Sequence, residues 1–273
     1  MKNPYQPIES TIENIKTESG TIKTFTVKMK TPFAFKTGQF VEVTIPGEGE
    51  APFTPSSDPQ KALKEPMDIT IMKAGRITGR LHEMEPGATI GVRGPYGKGY
   101  PVEKFEGKEI VIVGGGVGLA PLRTLLYTVL NSIDKYKKVY LRYGARTPDD
   151  IIFKKEVDQW GKRKDINMVV TVDNGNSKWK GHVGLVTTIL DDIKVNFKEA
   201  PAIVCGPPIM MKFATFKLIE LGFLPENIYL SMEKNMSCGI GKCGHCRLGK
   251  YYACKEGPVF TFEQLKDNPD IWD

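Results

Sequence analysis

Residues 21–29 alternate apolar and polar side chains with a period of two, the signature of a strand with one face buried. The alternation returns at 40–45, 67–72 and 88–92. Turn-forming residues punctuate these runs: Thr37-Gly38, Ala74-Gly75, Pro86-Gly87 and Gly94-Pro95. Several short strands at this spacing predict an antiparallel β-barrel in the N-terminal part of the chain.

The rhythm changes near residue 108. Residues 109–113 (Glu-Ile-Val-Ile-Val) are an almost uninterrupted apolar run, as a buried parallel strand requires. A glycine-rich turn, Gly114-Gly115-Gly116-Val117-Gly118, follows. Leu119, Leu122, Leu125, Leu126, Val129 and Leu130 then fall on one helical face, with Pro121 in the first turn where proline is tolerated. Strand-like runs at 139–143, 168–172, 202–205 and 228–231 alternate with helix-like runs at 150–160, 183–190 and 208–221, the last stopped by Gly222. This alternation predicts an α/β unit with a helix-covered parallel sheet of the nucleotide-binding type. Residues 232–273 keep no such rhythm and are rich in glycine, cysteine and lysine. The chain therefore divides into a β-barrel over 1–104, an α/β unit over 105–231 and a small C-terminal segment over 232–273.

Composition narrows the class. The length of 273 residues fits two compact domains plus an appendage, and 40% apolar with 26% charged residues is ordinary for a soluble globular chain. The net charge of +6 comes from lysines spread among glutamates, which argues against a nucleic-acid binder. No run reaches the roughly 18 apolar residues of a membrane span, and the polar N-terminus lacks a signal-peptide core. A cytoplasmic location is expected. In a reducing compartment, four cysteines packed together mean metal more often than disulfides.

Those four are Cys238, Cys243, Cys246 and Cys254; the fifth, Cys205, stands alone. The C-x4-C-x2-C start has the spacing of plant-type 2Fe-2S binding. Four thiolates must converge on two irons, and Gly239, Gly241 and Gly244 let the backbone wrap closely around them. A four-cysteine zinc site is the alternative, and substitution of His245 for one cysteine is a third option. The glycine-rich turn after 109–113 would bring backbone amides to a pyrophosphate at a helix N-terminus. Ala120-Pro121 departs from the Rossmann spacing, so this loop alone is equally readable as a tight strand–helix turn. Cys205-Gly206-Pro207-Pro208 repeats the strand–turn–helix arrangement at a second place.

Taken in order, these motifs resemble the ferredoxin–NADP reductase superfamily over about residues 8–262. They are most similar to the iron–sulfur flavoprotein electron-transfer subunits of cytoplasmic sulfhydrogenase (gamma subunit), dihydroorotate dehydrogenase and anaerobic sulfite reductase. The resemblance implies that Phe53 stacks on an FAD isoalloxazine and that Thr54 bonds near its N5. Ala51 stands where the family carries an arginine for the flavin phosphates. Gly75, Thr78, Gly79 and Arg80 would supply amides and a cation to the pyrophosphate, and Gly94-Pro95-Tyr96-Gly97 matches the turn closing the flavin domain. Gly114, Gly115, Gly116, Gly118, Ala120, Pro121, Gly144, Arg146 and Asp173 match segments lining an NAD(P)H site. Cys205, Gly206, Pro207 and Met210 match the motif that places a cysteine beside the nicotinamide. The four clustered cysteines match the 2Fe-2S motif, with a shorter final gap than is common, and Gly257-Pro258-Val259-Phe260 follows as in the family.

The implied activity is electron transfer between NAD(P)H, FAD and a 2Fe-2S cluster, with Thr54 and Cys205 nearest the hydride. The sequence offers no recognisable terminal catalytic site. A hetero-oligomer with a catalytic or iron–sulfur partner subunit is therefore expected, with a ferredoxin as another acceptor. A self-contained NAD(P)H:ferredoxin-type reductase and a zinc-stabilised nucleotide-binding regulator are the rival readings. Arg142 or Arg146 would suit the 2′-phosphate of NADPH, whereas Asp173 would suit a free ribose.

Overall fold

A computed structural model describes residues 3–272. Six antiparallel strands build the N-terminal barrel: β1 (Ile8–Thr17), β2 (Ile22–Met29), β3 (Phe40–Ile45), β4 (Gly49–Phe53), β5 (Met67–Met72) and β6 (Thr89–Tyr96). Their order is β4-β3-β6-β1-β2-β5, and a bridge from Pro55 to Ile69 brings the two ends together. Alternate side chains, among them Ile12, Phe25, Val27, Val41, Val43, Ile69, Ile71, Ile90 and Val92, fill the interior. Sequence periodicity misses β1 and β4. A register shift between Ile12 and Asn14 breaks the period-two pattern of β1. β4 carries Gly49 and Pro52, residues tolerated at the end of a ladder but poor strand signals. The short helix α1 (Arg76–Glu83) packs against the barrel through Leu81, which is buried.

The second sheet carries β7 (Glu109–Gly115), β8 (Lys138–Ala145), β9 (Ile166–Val172), β10 (His182–Val183), β11 (Ala202–Cys205) and β12 (Ile228–Ser231). They run parallel in the order β10-β9-β8-β7-β11-β12. The connecting helices are α2 (Leu119–Leu130), α3 (Lys154–Gly161) and α4 (Pro208–Glu220). α3 begins later than the expected 150, because Pro148–Asp150 forms a separate turn and Phe153 takes a positive φ of 53°. The buried carboxylate of Glu18, from the barrel, accepts the Phe153 amide at 2.9 Å and holds that conformation.

The helix expected at 183–190 is absent. Val183 is in β10, Gly184 has φ +145°, and only a single 3-10 turn follows at Val186–Ile189. The β-branched residues Val183, Val186, Thr187, Thr188 and Ile189 disfavour a helix. Burial of Val186, Ile189 and Leu190 supplies the apolar spacing that imitates one.

The C-terminal segment is ordered around β13 (Arg247–Leu248), β14 (Tyr251–Tyr252), β15 (Val259–Thr261) and α5 (Phe262–Leu265). β15 joins the second sheet antiparallel to β12. The barrel and α/β unit are fastened by Arg123 of α2. It donates to the Ser56 carbonyl and Asp68 of the barrel, both at 3.2 Å, and pairs with Glu156 of α3. Among the described residues, no helix is long and apolar enough to cross a membrane.

Candidate redox site

The C-terminal ends of the parallel strands gather the residues expected to meet a nucleotide. Sheet register sets Gly114 beside Cys205 and beside Tyr143, and Gly115 beside Gly144. Space, rather than flexibility, dictates the key glycine. A Cβ on Gly118 would lie 2.4 Å from the Cys205 carbonyl oxygen and 2.7 Å from the Gly206 Cα. The two glycine turns therefore touch backbone to backbone at the start of α2. Met210 covers the same spot, since a Cβ on Gly206 or Gly115 would meet its Cε at 2.2 or 2.6 Å. Ala120 is buried and Pro121 lies in the first turn of α2. Arg146 and Asp173 follow β8 and β9, their strand ends joined by Asp173 N–H to Ala145 O and Asn174 N–H to Arg146 O, both 2.9 Å.

Cys205 ends β11 almost wholly buried, and burial pushes its thiol up to about 12. Burial thus favours the neutral thiol over the thiolate.

The expected 2′-phosphate ligand Arg142 is elsewhere. It is fully buried, and its guanidinium is consumed by Ile189 O at 2.7 Å, Asn167 O at 2.8 Å and Asp192 at 2.9 Å. It ties β8 to β9 and to the 186–192 segment and has no donor to spare for a nucleotide.

At the barrel mouth, Phe53 ends β4 and Thr54 follows, both partly exposed. The 75–81 stretch, read as a phosphate loop, is largely helix α1. Thr78 Oγ accepts the Gly75 amide at 2.8 Å and the Ala74 amide at 2.9 Å, so the Gly75 donor is already used. The first-turn amides of Arg76, Ile77 and Thr78 are the ones left for an anion, with Gly79 inside the helix. Arg80 lies 3.1 Å from Glu83 and 3.9 Å from Glu48. Arg76, which sequence reasoning did not single out, donates to the Glu48 carbonyl and reaches across the start of β4. Its signal would have been position alone: a cation at the first residue of a helix facing the strand that lacks the usual arginine.

The cysteine loop wraps with positive φ at Gly239 (71°), Gly241 (73°) and Gly244 (85°). Sulfur-directed amides come mostly from other residues than these glycines. Cys238 Sγ accepts from Lys242 N at 3.2 Å, Cys243 N at 3.4 Å and Ile240 N at 3.5 Å, while Gly241 N donates to Cys254 Sγ at 3.0 Å. Burial opposes ionisation of Cys238, yet these three amides bring its thiol down to about 6. Burial and the adjacent Cys246 push Cys254 up to about 12. The sulfurs of Cys246 and Cys254 lie 3.2 Å apart, and Cys243 meets Cys238 through its backbone amide. Among the described residues, no three His, Cys, Asp or Glu side chains are gathered tightly enough for a single metal ion. His245 is held instead by Ser237, at 2.7 Å.

Comparison with known proteins decides the family. An oxidoreductase FAD-binding domain matches residues 9–100, an oxidoreductase NAD-binding domain 112–215, and the iron–sulfur cluster binding domain of dihydroorotate dehydrogenase B 233–266. Sulfhydrogenase 2 subunit gamma of Pyrococcus furiosus is 36% identical over 95% of this chain and 96% of its own length. The probable dihydroorotate dehydrogenase B (NAD(+)) electron transfer subunit of the same organism is 33% identical over 89% and 86%. This chain belongs to that family of iron–sulfur flavoprotein electron-transfer subunits.

A solved NADH-dependent reduced ferredoxin-NADP oxidoreductase, described in work on flavin-based electron bifurcation, superposes on 98% of the chain and 94% of its own. The TM-score is 0.75 at 26% identity. The ferredoxin reductase of carbazole 1,9a-dioxygenase shares the fold, with a TM-score of 0.71 at 20% identity over 84% and 70%. The three matched domains coincide with the three residue groups above: the β4–α1 barrel mouth, the strand-end glycine turns and the cysteine loop.

In this family member the outer barrel face beneath the cysteine loop holds an unexpected buried carboxyl. Glu42 of β3 is fully buried, and neither carboxylate oxygen has a hydrogen-bond partner. Burial pushes its carboxyl up to about 7; Arg93 opposes this, and Glu50 and Cys238 add to it. Below the ordinary value of 4.5 the group is neutral folded or unfolded. As pH rises towards 7 the unfolded chain gives up the proton first, so the contribution of Glu42 to stability is progressively lost. Glu42→Gln should therefore gain stability relative to the parent between pH 4.5 and about 7 and hold that gain above. The expected gain is on the order of 1–3 kcal/mol, read from thermal melts across pH. A melting difference independent of pH would contradict the buried-carboxyl assignment.

Proposed function

We propose that this chain is the NAD(P)H-linked reductase subunit of a hetero-oligomeric redox complex, with FAD in the barrel (1–104), nucleotide in the α/β unit (105–231) and a 2Fe-2S cluster in the 232–273 segment. The observation that carries this reading is the convergence of backbone amides on two of the four sulfurs, from Ile240, Lys242 and Cys243 onto Cys238 and from Gly241 onto Cys254, beside the 3.2 Å contact of Cys246 with Cys254. Amides aimed at sulfur stabilise thiolates and tune the potential of an iron–sulfur cluster. When bound, FAD trades a hydride with the nicotinamide for single electrons, and the cluster carries those one at a time.

The chain's own part is to hold and align. Phe53 would face the flavin ring and Thr54 its N5 edge. The first turn of α1, with Arg76 and Arg80, would take the flavin pyrophosphate that Ala51 cannot grip. Gly114, Gly115, Gly116 and Gly118, with Ala120 and Pro121 at the start of α2, would line the nucleotide pyrophosphate, and Gly144, Arg146 and Asp173 its ribose. With Arg142 consumed, Arg146 is the remaining cation from the sequence reading for a 2′-phosphate.

Cys205, Gly206, Pro207 and Met210 would wall the nicotinamide. As a neutral thiol, Cys205 acts by contact. Cys205→Ala should slow flavin reduction by NADH about tenfold or more through misplacement of the ring, with FAD content intact. The rate of the parent should show no thiol ionisation up to about pH 9. Stopped-flow absorbance across pH checks both.

Cys243 is exposed, unlike the other three, and marks the side from which an electron would leave toward a partner subunit. The Pyrococcus furiosus relatives are themselves subunits by name. The test is anaerobic purification from the native cell with metal, sulfide and flavin analysis. The proposal expects FAD with about two irons and two acid-labile sulfides per chain, and a co-purifying catalytic subunit. Zinc without sulfide would refute the cluster, and a lone chain reducing free ferredoxin would favour the self-contained reductase.

A further inference from the structure

One buried side chain ties the cysteine loop to the flavin barrel. Arg93 leaves β6 on the outer barrel face and is 3% exposed. Its Nε donates to both carboxylate oxygens of Glu50 on β4, each at 3.0 Å. Nη1 donates to the Cys238 carbonyl and Nη2 to the Ser237 carbonyl, each at 2.8 Å. Nη1 also reaches the Tyr96 hydroxyl at 3.3 Å. The next residue in the loop, Gly239, has no room for a side chain: a Cβ there would lie 3.0 Å from the Tyr96 ring and 3.5 Å from Arg93 Nη1.

The far end of the cysteine run is fastened to the same part of the barrel. Lys98 N–H donates to the Gly257 carbonyl, and a Cβ on Gly97 would lie 2.6 Å from that oxygen. β6 and the turn after it thus grip the chain just before the first cysteine and just after the last. β4, which carries Glu50, runs on to Phe53 at the barrel mouth. Arg93 therefore spans from the strand that bears the flavin-facing residues to the first cluster cysteine.

We propose that Arg93 is a positioning residue for electron transfer, setting the Cys238 end of the cysteine loop on the flavin barrel and placing a permanent cation beside it. This rests on the iron–sulfur reading above. The transfer moves one electron from reduced flavin to oxidised cluster, with NAD(P)H as the reductant, and no atom changes hands. Guanidinium is suited to the task because its planar fork engages one carboxylate and two carbonyls at once. A lysine keeps the charge and loses the fork. The cation favours the more negative, reduced cluster, so its removal lowers the cluster's potential.

The test uses the full chain purified anaerobically, as parent, Arg93→Gln, Arg93→Lys and Glu50→Gln. Iron, sulfide and FAD are counted first. Flavin bleaching by NADH and the appearance of the reduced cluster are then followed by stopped-flow absorbance and freeze-quench electron paramagnetic resonance (EPR). In Arg93→Gln, flavin bleaching should stay within about twofold of the parent. Electron arrival per loaded cluster should slow by about tenfold or more, with a lower midpoint potential and an altered EPR line shape. Arg93→Lys should fall between the two. If Arg93→Gln retains FAD but not iron, Glu50→Gln keeps the arginine, loosens its anchor and should slow electron arrival in weaker form, without the fall in midpoint potential. Loaded Arg93→Gln protein with parental arrival rate and line shape would overturn the proposal. Loss of FAD together with iron in both variants would also overturn it, by marking Arg93 as a general support of the barrel. Parent protein without iron and sulfide would instead overturn the iron–sulfur reading, before any variant is read.

Discussion

Cys254→Ser should give a flavoprotein that NADH still reduces, with cluster content at least about tenfold below the parent and no electron delivery to one-electron acceptors. Cys254 is 2% exposed, its sulfur 3.2 Å from Cys246 and 3.0 Å from the Gly241 amide. A serine oxygen is a harder donor on a shorter bond, and it cannot fill the place of this sulfur beside Cys246. The proposed flavin and nucleotide sites lie on other elements, the β4–α1 mouth and the strand ends of the second sheet. Dye reduction that bypasses the cluster should therefore survive. Iron and sulfide analysis with a visible spectrum checks the first half, and a cytochrome or ferredoxin acceptor assay checks the second. Full cluster content in this variant would remove Cys254 from the ligand set.

Gly118→Ala should do comparable damage at the other end of the path. Gly118 has an ordinary φ of −61°, so the penalty is one of space alone. The added methyl would meet the carbonyl oxygen of Cys205 at 2.4 Å, its carbonyl carbon at 2.6 Å and the Gly206 Cα at 2.7 Å. All three are backbone atoms, which cannot rotate aside as a side chain does. The two glycine turns must separate, which should cost about 1–3 kcal/mol of stability by overpacking. The same separation displaces the amides that would face the pyrophosphate, so NADH affinity should fall about tenfold or more. Calorimetry and nucleotide titration of the loaded protein measure the two effects. Parental nucleotide affinity would show that this contact does not shape the site.

The features legible in the sequence are those written locally. Gly114–Gly118 sits between an apolar run and an amphipathic one, and four cysteines fall in one short stretch, so both declare themselves within a few residues. The α/β rhythm holds because each parallel strand is buried on both faces and each helix carries its own apolar stripe. Other features were hidden for physical reasons. β1 lost its period at a bulge, and β4 was masked by Gly49 and Pro52. The 183–190 stretch borrowed helical spacing from burial while its β-branched residues refused the helix. Arg142 read as a ligand cation because sequence does not reveal which side of a strand end is already occupied. Glu42, Glu50 and Arg93 gave no signal, since their meaning comes from the pairing of β3, β4 and β6 and from a loop more than a hundred residues away.

The central claim is a path from nicotinamide nucleotide through the barrel to the cysteine loop. The most direct measurement mixes the anaerobically purified parent chain with one equivalent of NADH and follows visible absorbance and EPR over time. Loss of the flavin bands should come first, followed by the EPR signal of a reduced 2Fe-2S cluster at a matching rate. Flavin that bleaches with no cluster signal, in protein that holds iron and sulfide, would contradict the path.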